Sequence, residues 1–312
     1  GPEAQLQKSL QALPPSRRHL VRSSGRKWEI CSPTSQLLIK RSDGRREQVR
    51  RNGLSHRPDL EDLYRKASCA RLPHNYFPAP EKPFLLNLAS LNDELWQLSV
   101  DHCRKGLDLA AASGAPFFSA HAGYCGDPDS RDLGKKMATV YPDRRSEYWE
   151  RFLEAVHELA AEAERRKVKF LIENHVVIAE NTAGENHPFL CATADEILRL
   201  RAEAGPSIGL LLDTGHLKVT ARSLGFDRNE FVLEVADVVD CIHHSDNDGV
   251  RDTNELLSLD YWFLTHMPMF GHVLHVLETQ PMPLEDLFAQ RNLLASAGNL
   301  ISHAFQSSEL DA

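Results

Sequence analysis

From about residue 68 the chain settles into a regular alternation of short apolar runs and longer stretches whose apolar residues recur at three- and four-residue steps. The short runs cover 84–88 (FLLNL), 115–120 (APFFSA), 168–172 (VKFLI), 208–212 (IGLLL), 238–242 (VVDCI) and 273–277 (VLHVL). Runs of this length, bounded by polar residues and glycine, predict buried strands. Between them, 92–112 predicts a helix, with Val100, Cys103, Leu107 and Ala111 on one stripe and Gly114 as its stop. A second helix is predicted over 145–165, with Trp149, Phe152, Val156, Leu159 and Ala163 on one face. Thr193 and Glu196 have the spacing of a capping box and open another, and a last helix follows Pro283. Strands alternating with helices predict an α/β fold on a parallel sheet.

Five of these strands end in the same kind of residue: His121, Glu173, Asp213, His243 and Glu278. A single histidine at a strand end is ordinarily a hydrogen-bonded structural residue. Five successive strands ending in His, Asp or Glu do not fit that explanation. In parallel α/β folds the C-terminal strand ends carry the site, and in a closed barrel they converge on one mouth. Several carboxylates gathered there without a cation would repel one another strongly. Imidazole and carboxylate together suit Zn, Mn, Fe, Co or Mg, so a divalent metal is expected, with Asp213 a ligand. Further candidates lie close by: His74 after Leu72-Pro73, His216 three residues beyond Asp213, and the loop from His244 through Asp248, Arg251 and Asp252 to Asn254. His244 and Asp248 are equally compatible with a solvated polar loop.

Charge divides the chain. Residues 1–72 hold 16 Lys and Arg against 7 Asp and Glu, and residues 73–312 hold 20 against 37. The two regions are read as a basic, poorly patterned N-terminal segment over 1–67 and a catalytic domain over 68–312. A basic arm for nucleic acid is one reading of the first; a poorly ordered leader, or a stretch that is not this fold's native sequence, is the preferred one. Nucleic acid is not expected as a partner, because phosphate binding needs a basic face and the domain is acidic. No apolar run reaches the roughly 18–20 residues a membrane span requires, and no signal peptide opens the chain. Six cysteines without a C-x-x-C pair fit reduced thiols in a cytoplasm. The chain begins Gly1-Pro2 rather than Met, as a fragment or an appended scar would. Assembly into a homo-oligomer is compatible with the sequence.

The series LPHNYF, NLAS, SAHAG, LIEN, LLLDTGH, IHHSDNDG and VLET, in that order, resembles the xylose-isomerase-like TIM barrels. That superfamily includes sugar isomerases, sugar and sugar-phosphate epimerases, and endonuclease IV. The resemblance covers roughly residues 68–300 and implies a (β/α)8 TIM barrel. It implies a metal site of Glu173, Asp213, His243 and Glu278. In the epimerase branch the two glutamates also exchange protons with the substrate, through an enediolate that the metal stabilises. His216 resembles a substrate-binding residue of that branch, and His74 and Arg251 are candidates for the same role. In the endonuclease branch His74 and His121 match additional metal ligands, and His216 and Asp252 match two of the three ligands of a third metal. The third of those should be a histidine, where this chain has Asn254, a poor zinc ligand.

A full barrel needs eight βα units, and six strands can be placed from residue 68. Residues 27–31 (KWEIC) and 36–40 (QLLIK) could supply two more, but the spacing between them is too short for a crossover helix. The N-terminal βα units are therefore read as degenerate or missing. The expected activity is that of a metal-dependent isomerase or epimerase acting on a small sugar or polyol. The alternatives are a metal-dependent phosphodiesterase related to endonuclease IV and a non-catalytic, metal-binding barrel fragment.

Overall fold

Alternation along each strand decides which side chains meet at the mouth of the sheet. A computed structural model of the chain describes residues 58–66, 71–129, 135–137, 139–182 and 186–307. The candidate strands at 27–31 and 36–40 lie outside these residues. In chain order the elements are α1 (Leu60–Lys66), α2 (Asp93–Ser113), β1 (Phe117–His121), α3 (Arg145–Arg166), β2 (Lys169–Glu173), α4 (Ala194–Ala204) and β3 (Ile208–Asp213). They continue with α5 (Thr214–Leu224), α6 (Arg228–Val235), β4 (Val239–His244), β5 (Leu274–Leu277) and α7 (Leu284–Ser307). The five strands form one parallel sheet in sequence order. It is the curled, helix-backed arc of a TIM barrel.

Phe117, Leu171, Leu211, Cys241 and Val276 pack together on one face of the sheet. Their alternate neighbours Phe118, Phe170, Leu210, Ile242 and Leu277 join the main core with the helices. The first face is the barrel interior. Counting by twos along each strand puts His121, Glu173, Asp213, His243 and Glu278 on that same face. Register staggers them. His121 pairs with Glu173, Glu173 with Leu211, Asp213 with His243, and His243 with Val276. Between Leu210 and Leu211 the β3–β4 register shifts, and Asp240 is the extra residue. This bulge brings Asp213 and His243 to the same level.

The helices obey local rules. Asn92 caps α2 by accepting from the Leu95 amide, and Gly114 ends it at φ 73°. Thr193 caps α4 through the Glu196 amide, while the Glu196 carboxylate accepts from the Ala192 amide. That is a capping box displaced by one residue. Among the described residues no helix is long and apolar enough to cross a membrane. Cys103, Cys125, Cys191 and Cys241 are buried.

One expected strand is absent. Residues 84–88 form no strand, because side chains take the backbone donors a ladder would use. The Leu86 amide donates to the Tyr76 hydroxyl at 2.6 Å and the Asn87 amide to Ser99 Oγ at 3.0 Å. The buried Asn87 carboxamide binds the backbone of Ala89, Tyr124 and Gly126. It is His74 that pairs beside β1, bridging in parallel to Ser119, with the Asn75 amide donating to the Ser119 carbonyl at 2.8 Å.

Candidate functional site

Each strand delivers its terminal side chain, and the loops then fix its direction. Asp213 is the last residue of β3 and also the cap of α5, its Oδ1 accepting from the His216 amide at 2.7 Å. Asn174, just past β2, donates from Nδ2 to the Asp213 carbonyl at 3.0 Å. Its Oδ1 accepts from the Asp213 amide at 2.7 Å. Its carbonyl lies 3.0 Å from His216 Nδ1. One carboxamide thus locks the ends of β2 and β3 together. Ser119, on the interior face of β1, sits 2.9 Å from His74 Nδ1. That contact leaves His74 Nε2 facing Glu173 Oε2 at 3.2 Å.

Glu173 is at the centre, 1% exposed. Its Oε2 is also 3.5 Å from His121 Nδ1. Its Oε1 is 3.5 Å from His216 Nδ1 and 3.8 Å from His243 Nδ1. His243 Nδ1 lies 3.9 Å from Asp213 Oδ2 and in close contact with Glu278 Oε2. Three overlapping sets of potential ligand atoms each fall within 4.8 Å: Glu173, Asp213, His243 and Glu278; His121, Glu173 and His216; and His74, His243 and Glu278.

Charge in this cluster is balanced at close quarters. Burial would raise the Glu173 carboxyl, but His121, His74 and His216 hold it well below the ordinary carboxylate range. Burial pushes Asp213 up to about 7, helped by Glu278, Asp252 and Glu173 against the pull of His216. Burial would lower His243, yet Glu278 with Glu173 and Asp213 raises it to about 9. The same opposition, with Asp213 and Asp252 as the main partners, lifts His216 well above the ordinary histidine range. Four buried atoms here have no hydrogen-bond partner: His121 Nδ1, Glu173 Oε2, His243 Nδ1 and Glu278 Oε2. A buried polar atom without a partner is costly. Nitrogen and carboxylate oxygen atoms crowded within a few ångströms, yet not aligned for hydrogen bonds, are what a shared cation would satisfy. The donor set fits a divalent metal.

The remaining candidates divide. His216 Nε2 is 3.3 Å from Asp252 Oδ2, so Asp252 reaches the cluster through His216. Gly215 makes room for the loop, since a Cβ there would sit 2.3 Å from Ser245 Oγ. Arg251 is not drawn into the cluster; its guanidinium pairs with Glu180, joining the β4–β5 and β2–α4 loops. His244 points to the helix side, away from the mouth. Its Nδ1 lies 3.0 Å from the Tyr261 hydroxyl and its Nε2 2.9 Å from His275 Nδ1. Asp248 is exposed and accepts from the Val250 and Arg251 amides. Sequence reasoning missed Asn174 and Ser119. The adjacent signal was present for Asn174, which follows Glu173 directly; Ser119 gave none beyond its inward parity with His121.

A family model described as xylose isomerase-like TIM barrel matches residues 45–279. Among solved structures, a D-tagatose 3-epimerase-like protein superimposes with a TM-score of 0.59 at 18% identity, covering 79% of this chain and 83% of that one. The TTHB071 protein from Thermus thermophilus, solved after soaking with ZnCl2, gives 0.53 at 21% identity, covering 76% and 82%. At these identities the likeness is one of fold. No protein of curated function is significantly similar in sequence.

Proposed function

Since the chain belongs to the xylose isomerase-like TIM barrel family, we propose that it is a divalent-metal-dependent isomerase or epimerase acting on a small sugar or polyol. The observation that carries this reading is the buried cluster of Glu173, Asp213, His243 and Glu278 with its partnerless nitrogen and oxygen atoms. These four residues would hold the ion. When bound, the cation would act as a Lewis acid toward adjacent hydroxyl and carbonyl oxygens of the sugar.

The proton chemistry belongs to the two glutamates. Glu173 ends β2 and Glu278 follows β5, with β3 and β4 between them, so they approach a bound sugar from different sides. One carboxylate removes the proton from the carbon next to the carbonyl, and the electron pair of that C–H bond moves into an enediolate. The other carboxylic acid returns a proton to carbon, from the opposite face in an epimerisation. His74, His121 and His216 surround Glu173 and hold it in the ionised form that a proton acceptor needs. His216 and His74 are the nearest candidates for contact with sugar hydroxyls. The sugar-epimerase likeness of the solved neighbour is compatible with this reading.

The test is wash-in of solvent deuterium. Ketopentoses and ketohexoses are incubated with the full chain and Mn, Co or Zn in D2O, and label at the carbon beside the carbonyl is followed by NMR. Wild-type protein should exchange label into at least one sugar, and Glu173→Gln and Glu278→Gln should each abolish turnover while remaining folded. Full activity in either variant would remove the mechanism. Cleavage of abasic-site DNA without any sugar turnover would favour the phosphodiesterase alternative.

A further inference from the structure

Asn254 joins three parts of the mouth. It lies in the β4–β5 loop at φ 50°, in the left-handed region that asparagine enters more readily than most residues. Its carbonyl accepts from the Gln280 amide at 2.7 Å, and Gln280 Nε2 donates to the Thr253 carbonyl at 2.9 Å. These bonds tie the loop to the segment immediately after Glu278. The carboxamide atom facing Asp252 lies 3.1 Å from Oδ1 and 3.3 Å from Oδ2. An oxygen there would meet only acceptors, so the amide is assigned with its nitrogen on that side, where it donates to both. Asp252 Oδ2 in turn faces His216 Nε2 at 3.3 Å, and the other ring nitrogen lies 3.0 Å from the Asn174 carbonyl. Gly215 leaves the space: a Cβ there would stand 3.1 Å from Asp252 Oδ1.

We infer that Asn254 is a positioning residue, whose amide aims Asp252 at His216 and thereby fixes the plane of the His216 ring in the mouth. The Asp252 side chain is 20% exposed. Without the amide it has water to turn toward, and a carboxylate on two rotatable bonds is not held by one contact to a ring edge. With the amide in place both carboxylate oxygens are engaged and the side chain has one direction. The ring, gripped at Nε2 by Asp252 and at Nδ1 by the Asn174 carbonyl, cannot flip without breaking both contacts. The consequence for sugar binding rests on the reading of His216 given above, but the geometry of the clasp does not.

The experiment uses the full chain labelled with 15N-histidine. Long-range 1H–15N spectra report the Nε2–H of each ring, and the His216 signal is identified by its loss in His216→Gln. In wild-type protein that proton should be protected from exchange. Asn254→Gly keeps a residue that tolerates the backbone conformation and removes only the amide. It should exchange the His216 Nε2–H at least about tenfold faster, with the thermal midpoint nearly unchanged. An unchanged exchange rate in Asn254→Gly would overturn the inference. If that variant does not fold, Asn254→Asp, which has the same shape and no donor toward Asp252, is read by the same two outcomes. Absence of sugar turnover in wild-type protein would sink the proposed function and leave this result standing, since the spectra need neither metal nor substrate.

Discussion

Gly209 in β3 leaves no room for a side chain. A Cβ at this position would lie 1.8 Å from Asp240 Oδ2 and 2.7 Å from Leu171 Cδ2. Asp240 is the bulge residue of β4, and its carboxylate bonds Lys169 Nζ of β2 at 2.6 Å. The pair therefore passes over β3, across the one residue without a side chain. Gly209→Ala forces the carboxylate aside. Both partners are about one-third exposed, so losing the pair alone costs at most about 1 kcal/mol. Overpacking against Leu171 and the displaced carboxylate adds its own strain, typically about 1–3 kcal/mol. A net loss of about 2 kcal/mol is expected, a fall of roughly 4–8 °C in the thermal midpoint of a domain this size. Asp240→Ala removes the nearer obstacle and leaves the contact with Leu171. In that background Gly209→Ala should cost about 1 kcal/mol, so a double-mutant cycle by urea denaturation should show coupling of about 1 kcal/mol. Equal costs with and without Asp240, or an unchanged midpoint in Gly209→Ala, would refute the argument that the glycine exists to let the ion pair cross.

Other outcomes follow from buried polar groups. His102, His187 and His266 are buried, and burial lowers each from 6.5 to about 4. Each is neutral when folded and takes up a proton near pH 6.5 when unfolded. Their stabilisation is complete above pH 6.5 and is lost as pH falls toward 4, by up to about 3 kcal/mol for each. His266→Gln should flatten that acid limb in denaturation curves taken from pH 8 to 4; an unaltered limb would contradict the assignment. The Tyr261 hydroxyl donates to Thr214 Oγ1 at 2.6 Å and touches His244 Nδ1, so Tyr261→Phe should cost about 1–3 kcal/mol in the same assay.

The strand ends were legible in the sequence because each strand is mostly apolar, and a His, Asp or Glu recurring at the same place, its end, stands out. Helix limits were legible where a cap announces them, as at Asn92, Thr193 and Gly114. What could not be read is where side chains substitute for backbone. FLLNL has the composition of a strand, yet Tyr76 and Ser99 take its amides. The Asp240 bulge is equally silent: one inserted residue changes neither composition nor period over so short a strand, yet it sets the level of Asp213 against His243. Arg251 shows the limit of reading a loop by residue type, since its charge is spent on Glu180, a residue 71 positions away.

The central claim is that the strand ends build a divalent-metal site. The most direct measurement is metal content per chain by mass spectrometry, for the full protein and for Asp213→Ala, after reconstitution with Mn, Co, Fe or Zn. The account predicts one or two ions bound by the protein and a clear loss in the variant. No ion in the reconstituted wild-type chain, or the same content with Asp213 replaced, would contradict it.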